Sequence, residues 1–208
     1  MNAALPAIPP VLDYLSVAVF ALTGALAAAR DRHDIVTFWF FAVVTGIGGG
    51  TLRDLLIGAP VFWIGDPTYL GIGLLAAIAV WFTAEHLERQ AALNWLDAAG
   101  LAAYAVIGAG KALAFGVDPI VAVAMGVITG CFGGVLRDVL AGRASILLKR
   151  EIYVSAALLA ALAFVGLLAA GAAPVWAGAS GAVAGFALRA AAMVWKLALP
   201  GFKAKEEG

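Results

Sequence analysis

The sequence predicts an all-α membrane protein of seven transmembrane helices, built as a 3+3 inverted repeat followed by one C-terminal helix. Three observations lead there. The chain is 64% hydrophobic and 12% charged, with a mean hydropathy of +1.01, whereas soluble domains carry roughly 25% charged residues. Apolar runs near the ~20 residues needed to cross a ~30 Å hydrocarbon core recur along it. The phrase TGIGGGTLRDLL at residues 45–56 returns as TGCFGGVLRDVL at 129–140, 84 residues later.

At that offset, segments 11–58 and 95–142 share 18 identities in 48 ungapped positions. Leu12-Asp13 falls on Leu96-Asp97, Gly24-Ala25 on Gly108-Ala109, Asp34 on Asp118, and Gly58 on Gly142. A chain rich in Ala and Gly would supply several matches by chance. It would not supply Arg-Asp after Gly-Gly-X-Leu twice, with three acidic positions in register. The chain is an internal duplication.

The elements follow in order. Residues 1–10 are a short apolar, proline-containing lead-in. The first span, 11–29, lacks the basic segment and cleavage site of a signal peptide and belongs to the repeat, so it is expected to be retained. The second, 35–57, is interrupted by Gly46, Gly48, Gly49 and Gly50; the third, 69–84, completes a first repeat over 11–88. The second repeat, 95–170, holds spans 95–115, 119–141 (interrupted by Gly130, Gly133 and Gly134) and 152–170. A seventh helix over 174–199 has no counterpart, and a charged tail, 201–208, is expected to fray. After an odd number of crossings the second copy enters from the opposite side, so the halves must run antiparallel about an axis in the membrane plane. Inverted repeats with paired Gly-interrupted helices point to a site at the repeat interface near the midplane.

Orientation follows from the basic residues. Arg30, Arg32, Arg89, Arg143, Lys149, Arg150, Lys196, Lys203 and Lys205 all fall in connections on one side. The other side has none in its loops apart from Arg53 and Lys111 near helix ends. The basic side is expected to be cytoplasmic, in a bacterial or archaeal inner membrane, with the N terminus outside and the C terminus inside. The six tryptophans, at positions 39, 63, 81, 95, 176 and 195, lie mostly near span ends, as interfacial anchors do.

Two readings of the glycine clusters stay open. Each Gly weakens a helix interior by about 1 kcal/mol relative to Ala, and broken backbone inside the bilayer is tolerated only where protein buries it or water bathes it. Alternatively, the Gly46/Gly50 and Gly130/Gly134 spacings let helices pack closely. The charges just beyond, Arg53-Asp54 and Arg137-Asp138, must face a bundle interior or an aqueous cavity. Neighbours on a helix do not face one another, which makes Arg53 and Asp54 poor partners. Asp13 is the expected partner of Arg53, and Asp97 of Arg137. These pairs can be architectural, pore-lining, or both.

Lys111 breaks the symmetry, since its counterpart is Ala27. It can snorkel to the headgroups, or act as a gate or lipid contact. Arg189 is expected to snorkel inward or pack between subunits. Cys131 is the only cysteine, which excludes an internal disulfide. His33 and His86 read as interfacial; His86 with Glu85 and Glu88 makes no convincing metal site. No nucleophile–base pair, metal cluster or cofactor motif is present, so an enzyme is not expected, nor a nucleic-acid partner.

Two copies of G-x-x-G-G-x-x-R-D in a 3+3+1 chain resemble the prokaryotic trimeric intracellular cation channel family, whose repeat has also been labelled glycine-transporter-like. The likeness covers about residues 11–196. It implies a homotrimer with a pore in each subunit, lined by kinked second and fifth helices, passing K⁺ or Na⁺ among membrane lipids. It places the kinks at Gly48, Gly49 and Gly50 and at Gly133 and Gly134, followed by Arg53, Asp54, Arg137 and Asp138. The Lys-Glu-Val motif that animal members carry for lipid binding and gating does not occur here. A secondary transporter of a small solute such as glycine is the alternative, since inverted repeats serve transporters as well.

Overall fold

The computed structural model describes residues 10–86, 89–148 and 151–200. The lead-in and the charged tail, with Lys149, Arg150, Lys203 and Lys205, lie outside the described residues. Seven α-helices are present: α1 (Pro10–Arg30), α2 (Ile35–Leu56), α3 (Thr68–Thr83), α4 (Arg89–Ala114), α5 (Pro119–Leu140), α6 (Val154–Ala169) and α7 (Pro174–Trp195). Six are long and apolar enough to cross a membrane, α3 by running on through a 3₁₀ turn to His86. The equally apolar α6 has 16 residues, about 24 Å at ~1.5 Å per residue, just short of the hydrocarbon core.

The duplication explains how the helices begin and end. Asp34 caps α2 by accepting from the amides of Val36 at 2.9 Å and Thr37 at 3.0 Å. Its repeat counterpart Asp118 caps α5 through the amide of Ile120 at 2.9 Å. Both helices stop at the same place, because Gly58 (φ 68°) and Gly142 (φ 61°) turn left-handed just past their ends. That conformation is nearly free for glycine and costs other residues.

The contacts are those of a twofold arrangement. Within each half the three helices pack on one another; between halves α1 meets α4 and α2 meets α5. α7 lies against α6 and α4. At the central crossing the exchange is reciprocal: a Cβ on Gly49 would collide with the Thr129 carbonyl, and one on Gly133 with the Thr45 carbonyl. The pattern repeats within each half, where Gly46 faces the Val17 carbonyl and Gly130 the Leu101 carbonyl.

This corrects the expectation of interrupted helices. α2 and α5 run through their glycines without a break. Gly46, Gly49, Gly130 and Gly133 serve close backbone approach. Gly48, Gly50 and Gly134 differ, since the Leu136 side chain, the Phe62 ring and the Tyr153 hydroxyl respectively stand where a Cβ would go.

Candidate functional site

Two buried charge clusters sit at opposite ends of the α2–α5 crossing. The first is built where α2 ends. Arg53 and Asp54 are 1% and 0% exposed, and the Arg53 Nε donates to Asp54 Oδ1 at 2.8 Å. The other carboxylate oxygen, Oδ2, accepts from the Phe62 amide at 3.0 Å and from the Lys111 ammonium at 2.8 Å. The Phe62 ring lies under both cations, 5.8 Å from Arg53 and 5.6 Å from Lys111, a distance at which cation–π attraction operates.

The second cluster is the duplicate, built where α5 ends. The Arg137 Nε donates to Asp138 Oδ1 at 3.0 Å, and Asp138 Oδ2 accepts from the Ile146 amide at 3.0 Å. Phe62 and Ile146 are themselves 84 residues apart, so the loop that clasps each aspartate is part of the repeat. Here Arg137 holds a second carboxylate, donating through Nη1 to Asp97 Oδ1 at 2.6 Å with both residues 2% exposed.

The expected pair of Arg137 with Asp97 therefore forms, whereas that of Arg53 with Asp13 does not. The Tyr69 hydroxyl donates to Asp13 at 2.7 Å, and Arg53 is left with a buried Nη1 that has no partner among the described residues. The expectation that Arg53 and Asp54 are poor partners is also wrong, in both repeats. The reason is reach. An arginine chain is long enough to fold back on its neighbour, and the loop amide holds the aspartate in place to receive it. Lys111 does not run to the headgroups; it crosses from the second half to the first and lands on Asp54. Arg189 is 3% exposed and binds Glu151 at 2.7 Å and the Ile152 carbonyl at 3.2 Å.

Three tyrosines that the charge pattern did not single out belong to this machinery. Tyr69 holds Asp13, and its counterpart Tyr153 is buried beside Asp97; a Cβ on Gly134 would stand 2.7 Å from the Tyr153 hydroxyl and 3.3 Å from Asp97 Oδ1. Tyr14 donates to Asp66 at 2.5 Å and its ring lies 4.9 Å from that of Tyr69. The offset of 84 relates Tyr69 to Tyr153, so the sequence held a signal for that pair. It held none for Tyr14, whose counterpart is Ala98.

The two ends differ in what surrounds them. At the Asp54 end, Lys111 fills the space beside the carboxylate. At the Asp138 end, Ala27 occupies the matching position and a cavity of about 140 Å³ opens, bounded also by Arg30, Asn94, Asp97, Arg143 and Arg189. The exposed pair Arg143–Asp31 joins the halves at its edge. Among the described residues no group of three or more His, Cys, Asp or Glu could hold a metal ion.

A bundle of apolar helices in two inverted halves, meeting on buried charge, defines a multi-pass membrane protein with a polar interior. Residues 10–85 and 94–169, most of the chain, match the glycine transporter family, and the chain belongs to that family. It is 38% identical over 195 residues to the UPF0126 membrane protein of Vibrio cholerae, spanning 92% of this chain and 82% of that one. It is 37% identical over 201 residues to the inner membrane protein YadS of Escherichia coli strain K12, spanning 95% and 97%. Among solved structures, the trimeric intracellular cation channel orthologue from Rhodobacter sphaeroides superposes with a TM-score of 0.88 at 47% identity, over 90% of this chain and 98% of that one. A prokaryotic channel of the same kind, solved in 0.5 M KCl, gives 0.84 at 26% identity over 91% and 98%. The fold is that of the prokaryotic trimeric intracellular cation channels.

Proposed function

We propose that the protein is a monovalent cation channel passing K⁺ or Na⁺, assembled as a homotrimer with one pore in each subunit between its halves, lined by α2 and α5. The observation that carries this reading is the pair of mirrored charge clusters at opposite ends of the α2–α5 crossing. Buried ionisable groups within spans are costly and mark ion pathways. Here they recur at both ends of one interface, with Gly48, Gly50 and Gly134 keeping bulk away from them. The basic connections put the Asp138 end at the cytoplasm and the Asp54 end outside. Lys111 on Asp54 then closes the outer end. The trimer and the ions are inferred from the relatives, which are described as trimeric cation channels. Recording purified protein in planar bilayers tests this directly: unitary K⁺ and Na⁺ steps are expected, and their absence under a voltage range that leaves the protein folded would refute it.

A secondary transporter of a small solute such as glycine is favoured by one observation. The two ends are unequal, one blocked by Lys111 and the other open to a cavity, as alternating access requires. Saturable uptake into vesicles without unitary currents would select it.

A further inference from the structure

We propose that the cavity beside Asp138 is a seat for a monovalent cation, and that Arg30 is the chain's own occupant when no free cation is there. The argument begins with the repeat. At the Asp54 end, Oδ2 of the carboxylate takes a loop amide and an ammonium, that of Lys111 at 2.8 Å. At the Asp138 end, Oδ2 takes the equivalent loop amide alone. The residue that would supply the ammonium is Ala27, and the space it vacates is the cavity. Asp138 is accordingly 15% exposed where Asp54 is 0% exposed.

A second acceptor faces the same space. Asp97 lines the cavity, is 2% exposed, and its Oδ2 is buried without a hydrogen-bond partner among the described residues. The other charges there are committed: Arg137 to both carboxylates, Arg143 to Asp31 and Arg189 to Glu151. Arg30 alone makes no ion pair among the described residues, and it borders the cavity. It lies three residues after Ala27, hence on the same face of α1 and ~4.5 Å further along. Helical side chains lean toward the N terminus, so the Arg30 chain leans back over Ala27, toward the place a lysine there would reach. A tethered guanidinium and a free cation would compete for one carboxylate. A seat of only two carboxylate oxygens among paired arginines binds weakly, as a conducting path requires. Only the identity of the free cation rests on the channel reading; the seat stands on the geometry.

The test is the thermal stability of the whole protein in nanodiscs of neutral lipid, with K⁺ replacing N-methyl-D-glucamine at constant ionic strength. The melting temperature of the wild type is expected to rise with K⁺. In Arg30→Gln the half-maximal K⁺ should be roughly threefold to tenfold lower, because removing a competing occupant raises the fraction of open seats. Asp138→Asn should abolish the K⁺ effect. Ala27→Lys, which installs the missing ammonium, should also abolish it while keeping the protein folded. K⁺ indifference of both wild type and Arg30→Gln would overturn the proposal, as would an unchanged K⁺ response in Asp138→Asn or Ala27→Lys. Unitary currents without any K⁺ effect on melting would leave the channel and remove the seat. A K⁺ effect that follows these variants in a protein without currents would keep the seat and remove the channel.

Discussion

Asp97 and Arg137, 40 residues apart on α4 and α5, meet at 2.6 Å in the interior of the second half. Their duplicates Asp13 and Arg53 stay apart, with Asp13 held by Tyr69. One ancestral pair has thus become a buried salt bridge in one copy and a hydroxyl–carboxylate contact in the other. Breaking a buried pair by removing one partner strands the other charge and costs about 3–5 kcal/mol, whereas losing an ordinary hydrogen bond costs about 1 kcal/mol. Asp97→Asn should therefore lower the melting temperature far more than Asp13→Asn. Equal losses would mean that Arg137 finds enough compensation in Asp138 alone.

Lys111 reaches across the halves to a carboxylate that Arg53 already engages. Lys111→Gln should leave the Arg53–Asp54 pair intact and remove the blocking ammonium. An increase in open time or unitary current is the expected outcome in bilayer recordings, with melting nearly unchanged because Lys111 is 24% exposed. Currents identical to wild type would place the constriction elsewhere.

Much of this was legible before the fold. The offset of 84 fixed the inverted halves, the aspartate caps at Asp34 and Asp118 and the two Arg-Asp ends, because local chemistry was duplicated with the residues. What escaped depended on distance between segments. Nothing in the sequence says that Lys111 lands on Asp54, 57 residues away, or that Tyr14 finds Asp66. The glycines misled for a related reason: a run that weakens an isolated helix is harmless where a facing backbone packs into it. Gly49 against Thr129 and Gly133 against Thr45 are tertiary contacts, invisible to helix propensity.

The pH dependence of stability should be set partly by two carboxylates outside the spans. Hydrogen bonds from Tyr14 and then Thr68 hold Asp66 below the usual carboxylate range, and those from Thr37 and Val36 do the same for Asp34. A depressed folded-state pKa gives stability that is present above the unfolded value of ~3.9 and lost as pH falls through the folded one. Melting temperature should be flat with respect to these groups from neutrality to about pH 5 and decline below about pH 4. Asp66→Asn with Asp34→Asn should shrink that acid-side decline. An undiminished decline in the double variant would assign it to other groups.

Topology can be tested with single cysteines in the Cys131→Ala background. His33→Cys lies in the turn between α1 and α2 and Gly65→Cys in the connection between α2 and α3, where nothing crowds a side chain. The distribution of basic residues puts position 33 in the cytoplasm and position 65 outside. An impermeant thiol reagent applied to intact cells should label only the latter. Labelling of position 33 alone would invert the orientation.

The glycines of the central crossing divide by what they face, and substitutions should divide with them. Gly49 and Gly133 face carbonyl groups of the opposing helix, which cannot move without shifting the backbone. Gly49→Ala or Gly133→Ala should force the halves apart, an overpacking defect of typically 1–3 kcal/mol each, and lower the yield of folded protein. Gly48 faces only the end of the Leu136 side chain, which can change rotamer, so Gly48→Ala should fold normally. Helix propensity works the other way, since each Gly→Ala change gains about 1 kcal/mol in a helix interior. Steric conflict with a fixed carbonyl outweighs that gain at Gly49 and Gly133, while at Gly48 the gain survives. Melting temperature and ion flux measured on the same three proteins separate the roles. Loss of stability confined to Gly49→Ala and Gly133→Ala, with altered flux in a stable Gly48→Ala, would assign packing to the first two and the ion path to the third. If all three melted like the wild type, the close approach of α2 and α5 would not be what holds the halves together.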